Sequence, residues 1–264
     1  MILPTSHAPS QMASTAEAVT SREAAERLHA VQARISRACG QAHRADKAVT
    51  LLAVSKTWDA SRVLELARLG QTSFAENYLQ EALEKIAQCS GFSPALEWHF
   101  IGPIQSNKTR PIAEHFAWVH SVDRERIARR LSEQRPPELP PLQVCLQVNV
   151  SGEDSKSGCS PSEAETLALD IAALPRIQLR GLMTIPEPSP DASTQRARFA
   201  TLRTMFENIR SQLESSQPER AGAFDTLSMG MSDDLEAAIL EGATVVRVGT
   251  ALFGQRPRSI TPSP

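Results

Sequence analysis

The stretch Leu142-Gln-Val-Cys-Leu-Gln-Val-Asn-Val150 decides the fold. Leu142, Val144, Leu146, Val148 and Val150 alternate with Gln143, Cys145, Gln147 and Asn149, which is the two-residue period of a strand. In a barrel, one face of such a strand meets helices and the other meets the lumen, so Gln147 and Asn149 are predicted to point inward near the C-terminal mouth. Similar short apolar runs lie on both sides of it. They cover 50–55, 72–75, 97–101 and 117–121 before it, and 177–183, 225–229 and 244–248 after it. Helical patterns fill the intervals at 60–69, 77–89, 124–133, 161–173, 193–214 and 232–241. A further helix is predicted over 21–42, where Ala24, Leu28, Val31, Ile35 and Ala38 share one face and Ser21 is a candidate N-cap.

Eight strands with helices between them make an α/β chain with the bookkeeping of a single (β/α)8 TIM barrel carrying an additional N-terminal helix. An open doubly wound sheet usually needs fewer strands and a Gly-rich first turn, and no G-x-G-x-x-G occurs. The length of 264 residues suits this one domain, since barrels routinely use about 250 residues as one unit. The expected organisation is a flexible tail over 1–20, the barrel over 21–256 and a second flexible tail over 257–264.

Composition excludes several classes. A net charge of −2 argues against a nucleic-acid binder, and no apolar run is long enough to span a membrane. Cys39, Cys89, Cys145 and Cys159 are scattered, with no C-x-x-C pair and no His cluster, so no metal site is expected. The first twenty residues lack the basic start and apolar core of a signal peptide, which favours reduced thiols and a cytoplasmic protein. The chain holds a single tyrosine, Tyr78.

Three places can carry chemistry. Lys56 closes the first strand, beside the catalytic mouth of a barrel. Desolvation there frees an amine to attack carbonyls, although on its own the lysine reads more readily as a solvated strand end. The segment Ser228-Met-Gly-Met-Ser-Asp-Asp234 joins strand seven to its helix. Gly230 permits a turn of N–H groups that can hold an anion, and Ser232 can equally be a plain helix cap. In strand eight, Val246 and Val248 share one face, so Arg247 points inward, where a permanent cation needs an acceptor. Gly249 and Thr250 follow it with further donors, at the recurrent phosphate site of this fold. Glu76 and Asn77 fall at the mouth after strand two, and His99, Gln105, Asn107 and Lys108 accompany strand three. Of these Asn77 has the better functional placing, because strand two closes beside strand one, whereas His99 reads as hydrogen-bonded core.

The segments AVSKT (53–57), F-x-EN-x-x-QE (74–81), WHFIG-x-x-QSNK (98–108), HSVD (120–123), GLM (181–183), LSMGMS-D (227–233) and VRVGTALFG (246–254) stand in one order along the chain. In these the sequence resembles the pyridoxal phosphate homeostasis protein family. The resemblance implies a fold type III barrel, like the N-terminal domain of alanine racemase, with pyridoxal 5'-phosphate (PLP) held as a covalent aldimine on Lys56. It places Ser228, Ser232, Gly249 and Thr250 on the phosphate, with Met229, Gly230 and Met231 lining the loop. Arg247 would face the pyridine nitrogen and Asn77 would lie near the ring. Lys156 is a second lysine near the mouth with an open role.

The implied function is to hold, supply or buffer PLP with little or no turnover. Alanine racemase draws a second base, a tyrosine, from a separate β-domain that has no counterpart here. The implied partners are PLP and PLP-dependent apo-enzymes, with no nucleic acid, no membrane and a monomeric state. Two alternatives are a PLP-dependent amino-acid racemase and a Schiff-base barrel enzyme acting on a phosphorylated metabolite.

Overall fold

A computed structural model describes residues 10–151 and 157–255, with side chains from residue 21 onward. Lys156 and the expected tail over 257–264 lie outside the described residues. Eight parallel strands, β1 (Thr50–Val54), β2 (Ser73–Glu76), β3 (Glu97–Phe100), β4 (Trp118–Val122), β5 (Leu142–Gln147), β6 (Ile177–Met183), β7 (Thr226–Ser228) and β8 (Val245–Val248), form a closed barrel in sequence order. The closing seam pairs Leu52 with Arg247 and Ala53 with Val248. Helices α2 (Ala60–Arg68), α3 (Leu79–Cys89), α4 (Thr109–His115), α5 (Glu125–Gln134), α6 (Pro161–Ala172), α7 (Ala192–Ser216), α8 (Pro218–Ala221), α9 (Leu235–Leu240) and α10 (Thr250–Phe253) follow the strands, and α1 (Ser10–Gln41) precedes them. This is the expected TIM barrel with its extra first helix.

Two local expectations differ. The first helix begins at Ser10, so Ser21 lies within it and caps nothing. Ala13, Ala16 and Ala18 are good helix formers and no proline follows Pro9 until Pro94, so nothing in the sequence stops the helix at residue 21. Strand five ends at Gln147 instead of Val150, because the chain folds back on itself: the Cys159 N–H donates to the Gln147 carbonyl and the Asn149 N–H to the Cys159 carbonyl. The helix α4 contains Pro111, a residue that breaks a helix interior. It sits in the first turn, where backbone N–H groups have no helical acceptor anyway.

The apolar residues divide between two places. Most lie between the sheet and the helices, including Leu142, Val144 and Leu146 of β5, Val148 just beyond it, and Val246 and Val248 of β8. A small second cluster, Leu52, Val54, Ala75, Ile101 and Val245, fills part of the lumen. The opposite parity of β8 therefore sends Arg247 inward, as expected, and it is 3% exposed. All four cysteines are buried free thiols, and burial raises Cys145 and Cys159 to about 12. Among the described residues, no helix is long and apolar enough to cross a membrane and no cluster of side chains could hold a metal ion.

Candidate cofactor site at the barrel mouth

Lys56 continues the inward parity of Leu52 and Val54 and is half-buried. No ion pair to it is found among the described residues. The backbone on both sides of it is fixed by a cluster behind the strands. Glu76 of β2 faces α3, away from the mouth where it was expected, and is fully buried. It accepts from Ser55 Oγ at 2.6 Å and from Lys85 Nζ at 2.5 Å. Lys85 also donates to the Ser55 carbonyl at 2.7 Å and pairs with Glu81 at 2.6 Å. Glu81 in turn accepts the Thr57 N–H, holding Thr57 at φ +68°, a left-handed conformation rare for a β-branched residue. Burial pushes the Glu76 carboxyl up, against the opposing pull of Lys85 and Ser55.

Asn77 lies two residues past Ala75, which pairs with Val54, so it stands level with Lys56 on the mouth side. Among the described residues its Oδ1 is buried without a partner. Gly102 presses on it from the loop after β3: a Cβ there would lie 2.0 Å from the Asn77 carbonyl oxygen, so only glycine fits. On the other side of Lys56, a Cβ on Gly249 would come within 3.3 Å of the Val54 carbonyl oxygen, and Thr250 opens α10.

The loop after β7 is built from its own backbone. Gly230 has φ +92° and packs so closely on Ala238 that a Cβ would lie 2.5 Å from that residue's Cβ. Its carbonyl accepts the Arg247 N–H at 2.9 Å, while Asp234 accepts the Met231 N–H at 2.6 Å. Helix α1 reinforces this loop from outside. Arg34 forks onto Glu236 at 2.7 and 2.8 Å and donates to the Ser232 carbonyl at 2.8 Å. The bond to Glu236 raises the Arg34 pKa.

Arg247 is buried in the lumen beneath this opening. Its Nη1 donates to Ser228 Oγ and its Nη2 to the Thr184 carbonyl, both at 2.8 Å. Neither acceptor is a carboxylate, and burial lowers its pKa to about 10, with Asp234 nearby pulling the other way. Below it lie two histidines. His120 Nδ1 meets Ser228 Oγ at 2.8 Å, and its Nε2 meets His99 Nδ1 at 2.9 Å. His99 Nε2 reaches Glu97 Oε1 at 2.8 Å. Burial pushes His99 down and His120 well down.

The structure thus gathers Lys56, Asn77, Gly230, Met231, Ser232, Arg247, Gly249 and Thr250 around one mouth. Two expected members are placed otherwise. The Met229 side chain packs in the apolar layer between sheet and helices and leaves only its backbone near the loop, because β7 parity sends it outward with Leu227. Ser228 is fully buried, with its hydroxyl taken by Arg247 and His120. Arg34, Lys85, Thr184 and His120 were missed. HSVD carried a signal for His120, since its strand parity matches that of inward His99, whereas carbonyl bonds such as that of Thr184 leave no trace in sequence.

The residues present suit a flat, anionic, aldehyde-bearing pyridine. A nucleophilic amine, an orphaned amide oxygen, a guanidinium lacking a carboxylate and two glycine-formed cradles for oxyanions surround the same opening. The class this defines is matched directly: residues 27–257 fit the family model for the alanine racemase N-terminal domain. A pyridoxal phosphate homeostasis protein of Pseudomonas aeruginosa is 59% identical over 232 residues, 88% of this chain and 95% of that protein. Another so named, from Escherichia coli, is 48% identical over 243 residues, 89% of this chain and 97% of that protein. The solved structure of PipY from Synechococcus elongatus with PLP bound is 35% identical, with TM-score 0.74, covering 88% of this chain and all of that one (100%). Alanine racemase from Corynebacterium glutamicum shares the fold at 16% identity and TM-score 0.61, over 89% of this chain and 62% of that one. The chain belongs to the pyridoxal phosphate homeostasis protein family.

Proposed function

We propose that this chain binds PLP at the barrel mouth, with Lys56 as its covalent anchor, and acts in PLP homeostasis by holding and supplying the cofactor with little or no turnover. The observation that carries the reading is Arg247, a buried guanidinium bonded only to neutral oxygens, on the strand beside Lys56. Such a group stabilises an acceptor aimed at its free N–H directions, and a pyridine nitrogen is one. When bound, PLP supplies a carbonyl that condenses with amines and a ring that withdraws electrons.

The residues divide the work. The Lys85 cluster fixes the backbone around Lys56 so that the amine faces the opening. Asn77 would lie near the ring, and the backbone N–H groups of Gly230, Ser232, Gly249 and Thr250, with the Ser232 and Thr250 hydroxyls, would take the phosphate, the Met231 N–H being spent on Asp234. Ser228 serves Arg247 in this assignment, not the phosphate. A guanidinium cannot protonate the ring nitrogen, so it holds that atom as an acceptor and leaves the ring a weak electron sink, in keeping with a carrier. Tyr78 is 56% exposed and lines an outer groove with Gln80 and Lys108, which places the chain's one phenol on the rim. PLP-dependent apo-enzymes remain the proposed recipients.

The test is spectroscopic. Purified protein reconstituted with PLP should show a visible band that borohydride abolishes, leaving the added mass on the peptide containing Lys56. Absence of both would overturn the reading. Sustained racemisation of an amino acid, lost in Lys56→Ala, would replace the carrier role with the racemase alternative.

A further inference from the structure

We propose that Glu97, His99, His120 and Ser228 form a one-directional hydrogen-bonded relay across the barrel that positions Arg247 and fixes it as a donor toward the mouth. The functional part of this inference rests on the PLP reading above, and the relay itself does not.

The direction follows from the two ends. A guanidinium has only donors and an ionised carboxylate only acceptors. At one end Arg247 Nη1 gives a proton to Ser228 Oγ, so the serine's own hydrogen is free to go to His120 Nδ1. His120 then carries its proton on Nε2 and donates it to His99 Nδ1, 2.9 Å away. His99 likewise carries its proton on Nε2 and donates to Glu97. Every bond is satisfied with both imidazoles neutral, the state that burial favours. If His99 were charged, the order would reverse from His99 onward. Ser228 Oγ would then receive protons from both His120 and Arg247, and its own hydrogen would have no acceptor among the relay atoms.

The path is also continuous through the fold. Glu97 and His99 lie on β3, His120 on β4, Ser228 on β7 and Arg247 on β8, so the relay bridges opposite sides of the eight-stranded wall. Stacking of His99 on Trp118, at 5.4 Å between centroids and 6° between planes, fixes the ring nearest the floor. Glu97 opens at its far end into a floor cavity of 250 Å³ shared with Thr50 and Thr244. The interior of such a barrel is ordinarily layers of branched apolar side chains. Here a polar rod replaces part of them, and its mouth end is the guanidinium. Such a rod fixes which N–H bonds of Arg247 are spent inward and which remain for a ligand.

Two measurements test this. The first uses the cofactor-free protein with isotope-labelled histidine and reads tautomers by nitrogen NMR at neutral pH. Both His99 and His120 are expected as neutral Nε2–H forms; an Nδ1–H or doubly protonated His120 would overturn the relay whatever the chain binds. The second compares binding of PLP with that of its analogue in which C–H replaces the ring nitrogen. The parent protein should prefer PLP by about tenfold or more, the scale of one charge-assisted hydrogen bond. His120→Leu should bind the analogue as the parent does while its preference for PLP falls to roughly a third of the parent value or less. An unchanged preference in that variant, or none in the parent, would overturn the positioning role even though PLP still binds. If neither compound binds the parent, the PLP reading and the positioning role fall together, and the tautomer result still decides the relay.

Discussion

Lys85 and Arg247 are both buried cations of this barrel, and their surroundings are opposites. Lys85, behind β1 and β2, contacts two carboxylates and a backbone carbonyl within 2.5–2.7 Å. Arg247, in the lumen, contacts a hydroxyl and a carbonyl. The first is compensated within the chain and serves structure: it ties β1, β2 and α3 together around Lys56. The second is compensated by a hydroxyl and a carbonyl, and on the function proposed above its remaining N–H groups serve binding. Desolvation is severe for both, so the difference lies in which partner the chain supplies.

The largest test of that contrast is Lys85→Met. It strands Glu76 and Glu81 and should lower unfolding stability by about 3–5 kcal/mol in urea titrations. Arg247→Met should cost far less, about 1–2 kcal/mol, because no carboxylate is left behind. The same variant should weaken PLP binding about tenfold or more, measured by equilibrium dialysis. Equal losses of stability in the two variants would break the distinction.

A pH series sharpens it further. The folded pKa values of His99 and His120 lie below their unfolded values near 6.5, so below that value the unfolded chain binds more protons. Stability is full above about pH 6.5 and falls on acidification, by up to about 1.4 kcal/mol per pH unit for each histidine. Glu97, held low by His99, adds to the loss further down, as pH drops below the ordinary carboxylate range. Unfolding curves between about pH 6.5 and 5 should show this slope, and His120→Gln should flatten it. Arg34 is the intermediate case, paired but part-exposed. Arg34→Ala should cost about 1 kcal/mol or less in stability, with a modest rise in PLP dissociation rate.

The same contrast explains what could be read from the sequence. Strand parity carried the barrel, the inward turn of Arg247 and the mouth position of Lys56, because period-two patterns survive in any strand with one apolar face. It misassigned Glu76, since Glu76 and Asn77 are adjacent and only one can face the mouth. Met229 was miscounted for the same reason: it lies in a motif beside Gly230, yet parity sends its side chain to the helices. The Lys85 cluster and Arg34 were invisible, because they join α3 to β2 and α1 to α9 through long side chains whose partners sequence spacing does not indicate. Ser228 was recognised as important and given a different partner, for a hydroxyl looks the same whether it meets a phosphate or a guanidinium.

The bonds made by α1 bear on when the pocket comes into existence. Arg34 reaches the Ser232 carbonyl across 198 residues, and Arg27 reaches the Leu252 carbonyl across 225. The β1–β8 seam spans nearly as much of the chain. These contacts have among the highest sequence separations the molecule contains, so their loop-closure entropy is met late in folding. During synthesis the first helix and strand emerge long before their partners. A nascent chain therefore presents Lys56 with no opposing wall, and on the proposed function selective capture of the cofactor would begin only once residues near 252 have left the ribosome and sealed the ring.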